Sequence, residues 1–468
     1  MGYIKNYYEG INVNRQDETI FALATPAGRA AIQIIRISGT GAARALRRLT
    51  GHLPEPRLMR YSTISDLNGV VIDYGMALWL PSPASPTGED YAEFHLHGTP
   101  QIGRMVMLTL EELPALRLAD AGEFTRRAFL NGKMTLDQTE ALSDIIDADT
   151  EAQHRQAMAR LDAPLSQLTE TWRHELVALM ARLETLIDFA DEDIPADLTD
   201  DINERLDQLI HGIAATLNDA TRGVIIRDGV SIALIGRPNA GKSTLLNALA
   251  GRDDAIVSTE EGTTRDIIRV SLNIDGYAVH LKDTAGLRQS ESLAEKEGIK
   301  RSLKAAAEAD IILLCIDGQD VENNGDFGSH WASIHAELGL DQAAANPVII
   351  PVLTKMDIVS DIKLDKDWPS ISAETGFGMD ALRMVIRAAM DQLLGSGEAA
   401  MVSRERHRLA LLSCQESLIS AKEVNPVDQP ELLAEDLRHA AQALGRISGQ
   451  VDVEDLLDEI FSSFCIGK

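Results

Sequence analysis

The sequence predicts an α/β multidomain protein in which a parallel sheet with helices on both faces is inserted into an all-α helical domain, after a leading α+β domain. Two observations indicate this fold class. Between residues 229 and 392, short runs of β-branched residues alternate with helical stretches, as is typical of a parallel sheet covered by helices. Helical periodicity dominates on both sides of that block, whereas strand-like runs and turns make up the first part of the chain.

The first 131 residues predict the α+β domain, and residues 1–16 form an extension that we expect to be flexible. The run "AIQIIRIS" at 31–38 indicates a buried strand, and "TGAARALRRLTG" indicates a helix that ends at Gly51. "YGMALWL" and "YAEFHLHG" indicate two more strands, joined by a loop rich in proline and serine. Strands and a helix in this order are the basis for the α+β assignment.

The helical domain is predicted in two halves, residues 132–228 and 393–468. In the first half, leucines recur at spacings of three and four from Leu165 to Leu186, which indicates one long amphipathic helix. In the second half, Leu433, Leu437 and Leu444 share one helical face. Because helices flank the α/β block of residues 229–392, the simplest arrangement inserts that block into a helical domain whose halves pack together.

The composition limits the classes of function. The net charge is -28 and the pI about 4.7, and such an acidic chain repels a nucleic-acid backbone, so indiscriminate nucleic-acid binding is excluded. Any RNA contact needs a local basic patch or a partner that supplies one. The three cysteines are far apart and odd in number, which indicates a reducing compartment. With no apolar run of about 20 residues and no secretory-type N-terminus, we expect a soluble cytoplasmic protein without a membrane segment.

A phosphate-binding loop is predicted in "SIALIGRPNAGKSTLLNALAG", which contains Gly236-x4-Gly241-Lys242-Ser243 between a strand and a helix. Successive backbone N–H groups and the helix N-terminus can hold phosphate oxygens. Lys242 can reach the β- and γ-phosphates, and the Ser243 hydroxyl can bind Mg²⁺. The alternative, a Gly-rich turn that arises by chance, does not account for the flanking strand and helix.

Three later motifs at strand ends indicate guanine rather than adenine. Asp283 of "DTAG" can hold Mg²⁺ through water, and the Gly286 N–H can meet the γ-phosphate. Asp357 of "TKMD" can accept hydrogen bonds from guanine N1–H and the 2-amino group, which adenine lacks. Ser372-Ala373 of "SAE" can donate a backbone N–H to guanine O6. In this order after a phosphate-binding loop, the motifs predict a GTPase.

Two residues depart from the small-GTPase pattern. Leu287 follows Gly286 at the place where small GTPases carry a water-positioning Gln, and an apolar side chain cannot orient water. Glu295, on the helical stretch "SLAEKEG", is the candidate for that task. Thr354 stands where Asn is usual before Lys-x-Asp, and one hydroxyl replaces only part of an amide, so we expect modest nucleotide affinity.

Together with "GTTRD", "DTAGLR", "NGKMTLDQTEAL" and the final "FCIGK", the phosphate-binding loop resembles the tRNA modification GTPase MnmE (TrmE) family, from about Asp17 to Lys468. The resemblance implies an N-terminal tetrahydrofolate-binding domain and a helical domain split by the P-loop GTPase domain. It implies a homodimer that works with a flavoprotein, MnmG-like, in a heterotetramer or larger assembly. Using 5-formyl- or methylene-tetrahydrofolate, the assembly would install an aminomethyl-type (carboxymethylaminomethyl or aminomethyl) group at C5 of the wobble uridine of certain tRNAs.

The resemblance also assigns site residues. Potassium would bind the Asn239 side chain and backbone carbonyls of Ser258, Glu260 and Thr263, while Ser243 and Thr264 would bind Mg²⁺. The catalytic candidates are Glu295, Lys242 and Cys465, and the folate-binding candidates are Arg36, Glu93, Lys133 and Lys468. The GTP-binding candidates are Gly236, Asn239, Ala240, Gly241, Lys242, Ser243, Thr244, Ser258, Thr259, Glu260, Glu261, Gly262, Thr263, Thr264, Asp283, Thr284, Ala285, Gly286, Thr354, Lys355, Asp357, Ser372 and Ala373.

Cys465 has three possible explanations. A prenylation box needs aliphatic residues after the cysteine and a different last residue, which Gly467 and Lys468 do not provide. A buried apolar plug beside Phe461 and Phe464 is the structural alternative. Within a tail of this family we favour a functional role near the folate.

Other functions stay open from sequence alone. An RNA-binding GTPase switch for ribosome assembly would share the phosphate-binding loop, but it should carry a basic RNA-binding module, and the sequence shows none. A folate-dependent methyltransferase with a regulatory GTPase domain would act without a flavoprotein. A non-enzymatic scaffold does not require motifs for phosphate, Mg²⁺ and guanine together.

Overall fold

The computed structural model describes most of the chain. The described residues are 18–163, 165–188, 196–251, 255–256, 269–283, 308–324, 347–359, 368–395, 400–426, 428–449, 454–462 and 464–467. The chain divides into two compact units, one of Met1–Ser143, Ala163–Leu209 and Ser413–Lys468, the other of Asp144–Asp162 and Ile210–Leu412. The domain boundaries given above, including the extension of residues 1–16 outside the described residues, stay predictions.

The strands are numbered in chain order. They are β1 (Thr19–Leu23), β2 (Ile32–Ser38), β3 (Arg60–Ser65), β4 (Val71–Leu80), β5 (Tyr91–His97), β6 (Leu116–Leu118), β7 (Val230–Ile235), β8 (Ala255–Ile256), β9 (Arg269–Ile274), β10 (Tyr277–Asp283), β11 (Ile311–Asp317) and β12 (Val348–Thr354). They form two six-stranded sheets, with strand orders β3-β4-β5-β2-β1-β6 and β12-β11-β7-β10-β9-β8.

The helices are numbered in the same way. They are α1 (Ala42–Thr50), α2 (Pro100–Glu111), α3 (Glu123–Leu130), α4 (Leu136–Ile146), α5 (Glu151–Asp162), α6 (Leu165–Asp188), α7 (Ala196–Asn218), α8 (Ala220–Asp228), α9 (Lys242–Ala250), α10 (Gly318–Asn324), α11 (Met379–Leu394), α12 (Glu405–Glu423), α13 (Pro430–Ser448) and α14 (Glu454–Ser462). Within the described ranges, no helix is long and apolar enough to cross a bilayer.

The first sheet has two unlike faces because side chains alternate along each strand. On β5, Ala92, Phe94 and Leu96 lie in the core with the buried leucines of α1. The opposite face of β5 carries Tyr91, Glu93, His95 and His97. Helix α1 ends at Gly51 in the left-handed conformation, as its sequence predicts.

Long helices complete the first unit. Helix α6 packs on α13, whose Leu433, Leu437 and Leu444 are fully or almost fully buried, so both helical faces predicted from sequence are confirmed. Helix α14 contributes Phe461 to a cluster with Leu136. This cluster connects α14 with α4, which precedes it by more than 300 residues in the chain.

The second sheet is parallel at its centre, as predicted. Strand β7 pairs in parallel with β10 and β11, and β11 pairs in parallel with β12. Strands β8 and β9 were not predicted from the sequence. Strand β9 is antiparallel to β10 because the two strands are joined by the tight turn Asp275-Gly276. Asp275 and Gly276 have φ angles of 49° and 86°, the left-handed values that such hairpin turns require.

The hairpin turn contacts two helices of the second unit. The Gly276 carbonyl accepts a hydrogen bond from the Ala152 N–H in the first turn of α5, at 3.1 Å. The Arg387 guanidinium of α11 donates to the Asp275 carbonyl at 3.1 Å and lies 4.8 Å from the centre of the Tyr277 ring. Because β9 follows the "GTTRD" segment in the sequence and β10 ends at Asp283, this hairpin lies between two motifs that are predicted to bind nucleotide.

Candidate nucleotide-binding and N-terminal sites

The phosphate-binding loop lies between β7 and α9, as the motif predicts. Gly236 must be glycine, because a Cβ there would lie 2.3 Å from the Cys315 carbonyl oxygen of β11. Gly241 begins α9 from the left-handed region, with φ of 80°. Asn239 also has a left-handed backbone, with φ of 66°, a conformation that Asn tolerates better than most residues. The Asn239 side chain is exposed. The loop therefore leaves the N-terminus of α9 open to an anion.

Lys242 lies across this loop. Its Nζ donates to the carbonyl oxygens of Gly236 and Arg237, at 2.8 Å each, although the residue is only 8 % exposed. Ser243 and Thr244 follow it and are exposed in the first turn of α9. The ammonium and the Ser243 hydroxyl thus lie at the helix N-terminus where phosphates and a hard cation would bind.

Thr354 joins three segments of the nucleotide site. Its buried Oγ1 lies 2.9 Å from the Ala240 carbonyl oxygen in the phosphate-binding loop and 3.1 Å from the Ile316 carbonyl oxygen of β11. The next residue, Lys355, has φ of 58° and donates from Nζ to Asp317 Oδ2 at 2.7 Å. Besides their backbone pairing, the ends of β11 and β12 are therefore connected by the ion pair of Lys355 with Asp317, and the Thr354 hydroxyl lies within bonding distance of β11 and of the phosphate-binding loop.

The residues predicted to contact guanine follow β12. Asp357 is exposed, so its carboxylate is accessible to a base. Ser372 is fully buried, and its hydroxyl accepts a hydrogen bond from the Thr375 N–H at 3.2 Å. The Met356 N–H donates to the Ile371 carbonyl at 3.1 Å, which places the "TKMD" and "SAE" segments side by side. Ala373 lies in the latter segment and is partly exposed.

Several predicted site residues lie outside the described residues. They are Ser258, Thr259, Glu260, Glu261, Gly262, Thr263, Thr264, Thr284, Ala285, Gly286, Glu295 and Lys468. Asp283 is described as the last residue of β10, next to Leu234 of β7 in register. In the described part of the chain, no three His, Cys, Asp or Glu side chains form a metal cluster. The expected Mg²⁺ and K⁺ ligands are hydroxyl, amide and carbonyl oxygens, which suit hard cations.

The N-terminal unit contains a second polar site. Arg36 of β2 and Glu93 of β5 face each other in register, and Arg36 Nε lies 3.3 Å from Glu93 Oε1. The side chain of Glu93 is 15 % exposed and that of Arg36 is 33 % exposed. The guanidinium of Arg36 also donates to the Gly467 carbonyl at 3.4 Å. Residues 431 positions apart in the chain thus meet in one place.

Glu93 has further partners on its own strand. The Tyr91 hydroxyl donates to Glu93 Oε1 at 3.0 Å, and His95 Nε2 lies 2.9 Å from Oε2. Tyr91 is almost completely buried, and burial is the main cause that raises its pKa, so the hydroxyl stays protonated and donates. The carboxylate is therefore held from both sides.

Lys133, the remaining described folate candidate, lies beside a different turn. Its Cε would be 3.2 Å from a Cβ built on Gly88, and the residue is exposed. Among the described residues, no hydrogen bond or ion pair joins Lys133 to Arg36 or Glu93. The structure thus brings Arg36, Glu93 and the tail at Gly467 together, and in the described part of the chain Lys133 is not bonded to either side chain.

The tail follows α14 into the N-terminal sheet domain. Ile466 forms an antiparallel bridge with Ala121, and Gly467 has φ of 99°. A Cβ on Gly467 would lie 2.3 Å from the Leu23 carbonyl oxygen. Cys465 is exposed, and Phe464 is the buried residue, so the interpretation of Cys465 as an apolar plug is wrong.

Three neighbours of the sites were not found from sequence. Tyr91 and His95 lie two residues on either side of Glu93, so the strand period of two could have placed them on its face. Asp317 ends the buried run "DIILLCID", and parallel strands bring such ends to one edge of a sheet. That signal could have linked it to Lys355.

Comparisons with known proteins cover nearly the whole chain. Residues 136–465 match the family described as "MnmE helical domain", and residues 19–133 match "GTP-binding protein TrmE N-terminus". The chain is 45% identical over 455 residues to the tRNA modification GTPase MnmE of Parvibaculum lavamentivorans, with 96% of this chain and 100% of the relative covered. It is 44% identical over 459 residues to the protein of the same name from Paramagnetospirillum magneticum, with 96% and 100% covered.

Proposed function

The chain belongs to the MnmE family of tRNA modification GTPases, and we propose that it is a potassium-stimulated GTPase that, with an MnmG-like flavoprotein, uses a folate one-carbon unit to modify the wobble uridine of certain tRNAs. That it hydrolyses GTP in tRNA modification follows from the family. The potassium, the folate, the flavoprotein and the position of the modified base belong to the proposal.

The proposed GTP site uses the residues between Gly236 and Ala373. Asp357 pairs with the N1–H and 2-amino groups of guanine, and the Ala373 N–H donates to O6. Lys242 and the N–H groups that begin α9 hold the phosphates. Ser243 and Thr264 would bind Mg²⁺, and Asn239 with carbonyls of Ser258, Glu260 and Thr263 would bind K⁺. These cations supply positive charge near the β- and γ-phosphates.

The attacking water needs a base or an orienting group, and Leu287 cannot provide one. We assign that role to Glu295, whose carboxylate can accept the water's proton. Glu295 lies outside the described residues. Its assignment rests on the sequence and on the family resemblance.

The proposed folate site rests on one observation, the meeting of Arg36, Glu93 and Gly467. The largely buried Glu93 carboxylate fits a heterocycle edge with adjacent N–H groups, because each of its oxygens can accept one of them. Arg36 and Lys468 would add positive charge for ring carbonyls and a glutamate tail, and Lys133 would bind the glutamate tail only. Cys465, exposed two residues before Gly467, is available for chemistry at this site.

The proposal also includes a homodimer, a heterotetramer or larger assembly with the flavoprotein, tRNA as substrate and a cytoplasmic location. The acidic net charge of -28 supports a partner that holds most of the tRNA surface.

Mass analysis of wobble uridines in tRNA from cells that lack the protein tests this function. Loss of the aminomethyl-type groups at C5, restored by the intact gene, is expected. If the level of modified wobble uridine in these cells equals that of the parent strain, the proposed function is rejected. In vitro modification without the flavoprotein would favour a folate-dependent methyltransferase instead. Defective ribosome precursors with normal tRNA would favour the assembly GTPase.

A further inference from the structure

Two side chains of β5 flank Glu93 on the same face of the sheet, because strand residues alternate between faces. The Tyr91 hydroxyl and His95 Nε2 lie 3.0 Å and 2.9 Å from different oxygens of the Glu93 carboxylate. A carboxylate oxygen only accepts, so Nε2 carries a hydrogen in this contact. With Arg36 Nε at 3.3 Å, three donors already surround the carboxylate.

The number of acceptor positions on the Glu93 carboxylate shows that a bound ligand would displace one of the present donors. Each carboxylate oxygen accepts about two hydrogen bonds in its plane. Oε1 already has two donors, Tyr91 and Arg36, whereas Oε2 has one. A ligand that brings one N–H to each oxygen would give Oε1 a third donor, so one of the two must move.

Arg36 is the donor that can move. Its contact with Oε1 is the longer one, and its NH1 has another acceptor in the Gly467 carbonyl at 3.4 Å. Tyr91 cannot turn away, because its ring is buried and packs edge-on against Phe124, with ring centres 6.3 Å apart.

We propose that Tyr91 and His95 are positioning residues that hold the Glu93 carboxylate for the N–H pair of a bound heterocycle, while Arg36 exchanges its bond for the ligand. This inference rests on the proposed folate site and adds to it two residues that face Glu93 from the same strand. Neither residue needs to touch the one-carbon unit, because each acts through the orientation of Glu93.

The binding test uses the full chain and 5-formyltetrahydrofolate in calorimetry. Tyr91→Phe keeps the ring and removes only the hydroxyl, and we expect binding about 10-fold weaker, since a hydrogen bond to a charged group is lost. His95→Leu should weaken binding about as much, whereas His95→Gln keeps an N–H donor and should restore most of the affinity. Tyr74→Phe, at an exposed tyrosine of β4, is the matched control and should bind like the parent.

A second ligand separates positioning from a general structural effect. An analogue of 5-formyltetrahydrofolate that lacks the 2-amino group of the heterocycle cannot use both oxygens of Glu93. Tyr91→Phe and His95→Leu should therefore weaken the binding of this analogue by less than about twofold. Equal losses for both ligands, or no loss for either, would overturn the inference while the folate site stands. If the parent protein and Glu93→Gln both fail to bind 5-formyltetrahydrofolate, the proposed site and the inference fail together.

Discussion

Thr354 Oγ1 is 2.9 Å from the carbonyl oxygen of Ala240, so the end of β12 is hydrogen bonded to the phosphate-binding loop. The same hydroxyl is 3.1 Å from the Ile316 carbonyl oxygen and has only one hydrogen to donate. It therefore bonds one carbonyl at a time, although both are buried with it. An Asn amide at this position would have two N–H groups for the two carbonyls.

Substitutions of Thr354 should lower or raise the affinity for nucleotide, depending on the hydrogen-bond donors of the new side chain. Thr354→Val keeps the shape and leaves both carbonyls without this donor, so we expect a stability loss of about 1–2 kcal/mol and GDP binding about 10-fold weaker. Thr354→Ser keeps the hydroxyl and is the control. Thr354→Asn should bind GDP more tightly than the parent. Fluorescent-nucleotide titration measures all three, and identical affinities for Val and Ser would show that the hydroxyl has no role.

Asp357→Asn should change the base that is recognised. An amide in place of the carboxylate presents a donor, which suits the oxygen at C2 of xanthine and not the amino group of guanine. We expect GTP binding at least about 100-fold weaker, since two hydrogen bonds to a charged group are lost, and xanthosine triphosphate to be preferred. The measurement is competition between the two nucleotides, and unchanged GTP affinity would reject the guanine assignment.

Hydrolysis should be fast in potassium and slow in sodium. Asn239 is exposed in the phosphate-binding loop and can give its amide oxygen to a cation beside the phosphates. Asn239→Ala should remove the difference between the two salts while nucleotide binding persists. Steady-state GTPase rates at equal ionic strength test this, and equal rates of the parent protein in both salts would contradict the cation site.

Cys465→Ser separates chemistry from packing. Because Cys465 is exposed, the substitution should change the free energy of unfolding by no more than about 0.5 kcal/mol. A chemical role requires a thiolate, which Ser does not readily form, so tRNA modification should be lost with GTPase activity intact. Deletion of residues 465–468 should have the same effect on modification, and normal modification by the deletion variant would remove the tail from the proposed site.

Gly467→Ala should displace the tail. The residue has φ of 99°, and its new Cβ would lie 2.3 Å from the Leu23 carbonyl oxygen, so the tail backbone must shift and the 3.4 Å bond from Arg36 to the Gly467 carbonyl should be disturbed. Gly69→Ala is a matched control, with φ of 85° and no atom within 4 Å of the new Cβ. We expect folate affinity to fall about 10-fold or more for the first variant only. A similar loss in both would point to backbone strain rather than to tail placement.

Local motifs were predictable because their function depends on neighbours in the chain. The loop from Gly236 to Ser243 needs only a preceding strand and a following helix, and both are present. Strand β9 was not predicted, although the Asp275-Gly276 pair is a known hairpin signal, because the β-branched runs around it favour a parallel sheet throughout the block. The group formed by Arg36, Glu93 and Gly467 could not be derived from periodicity, since no local pattern records which distant residues meet.

The bond between Arg36 and Gly467 also sets a time order during synthesis. Domains generally fold as their segments leave the ribosome, at about 5–20 residues per second. Arg36 is therefore synthesised roughly 20 to 90 s before Gly467, which lies 431 residues later in the chain. The nucleotide-binding segments between Gly236 and Ala373 are translated within that interval. We therefore expect that a chain that stops early can complete its candidate nucleotide site and still lack the tail that completes the proposed folate site, so a truncated product would consume GTP without modifying tRNA.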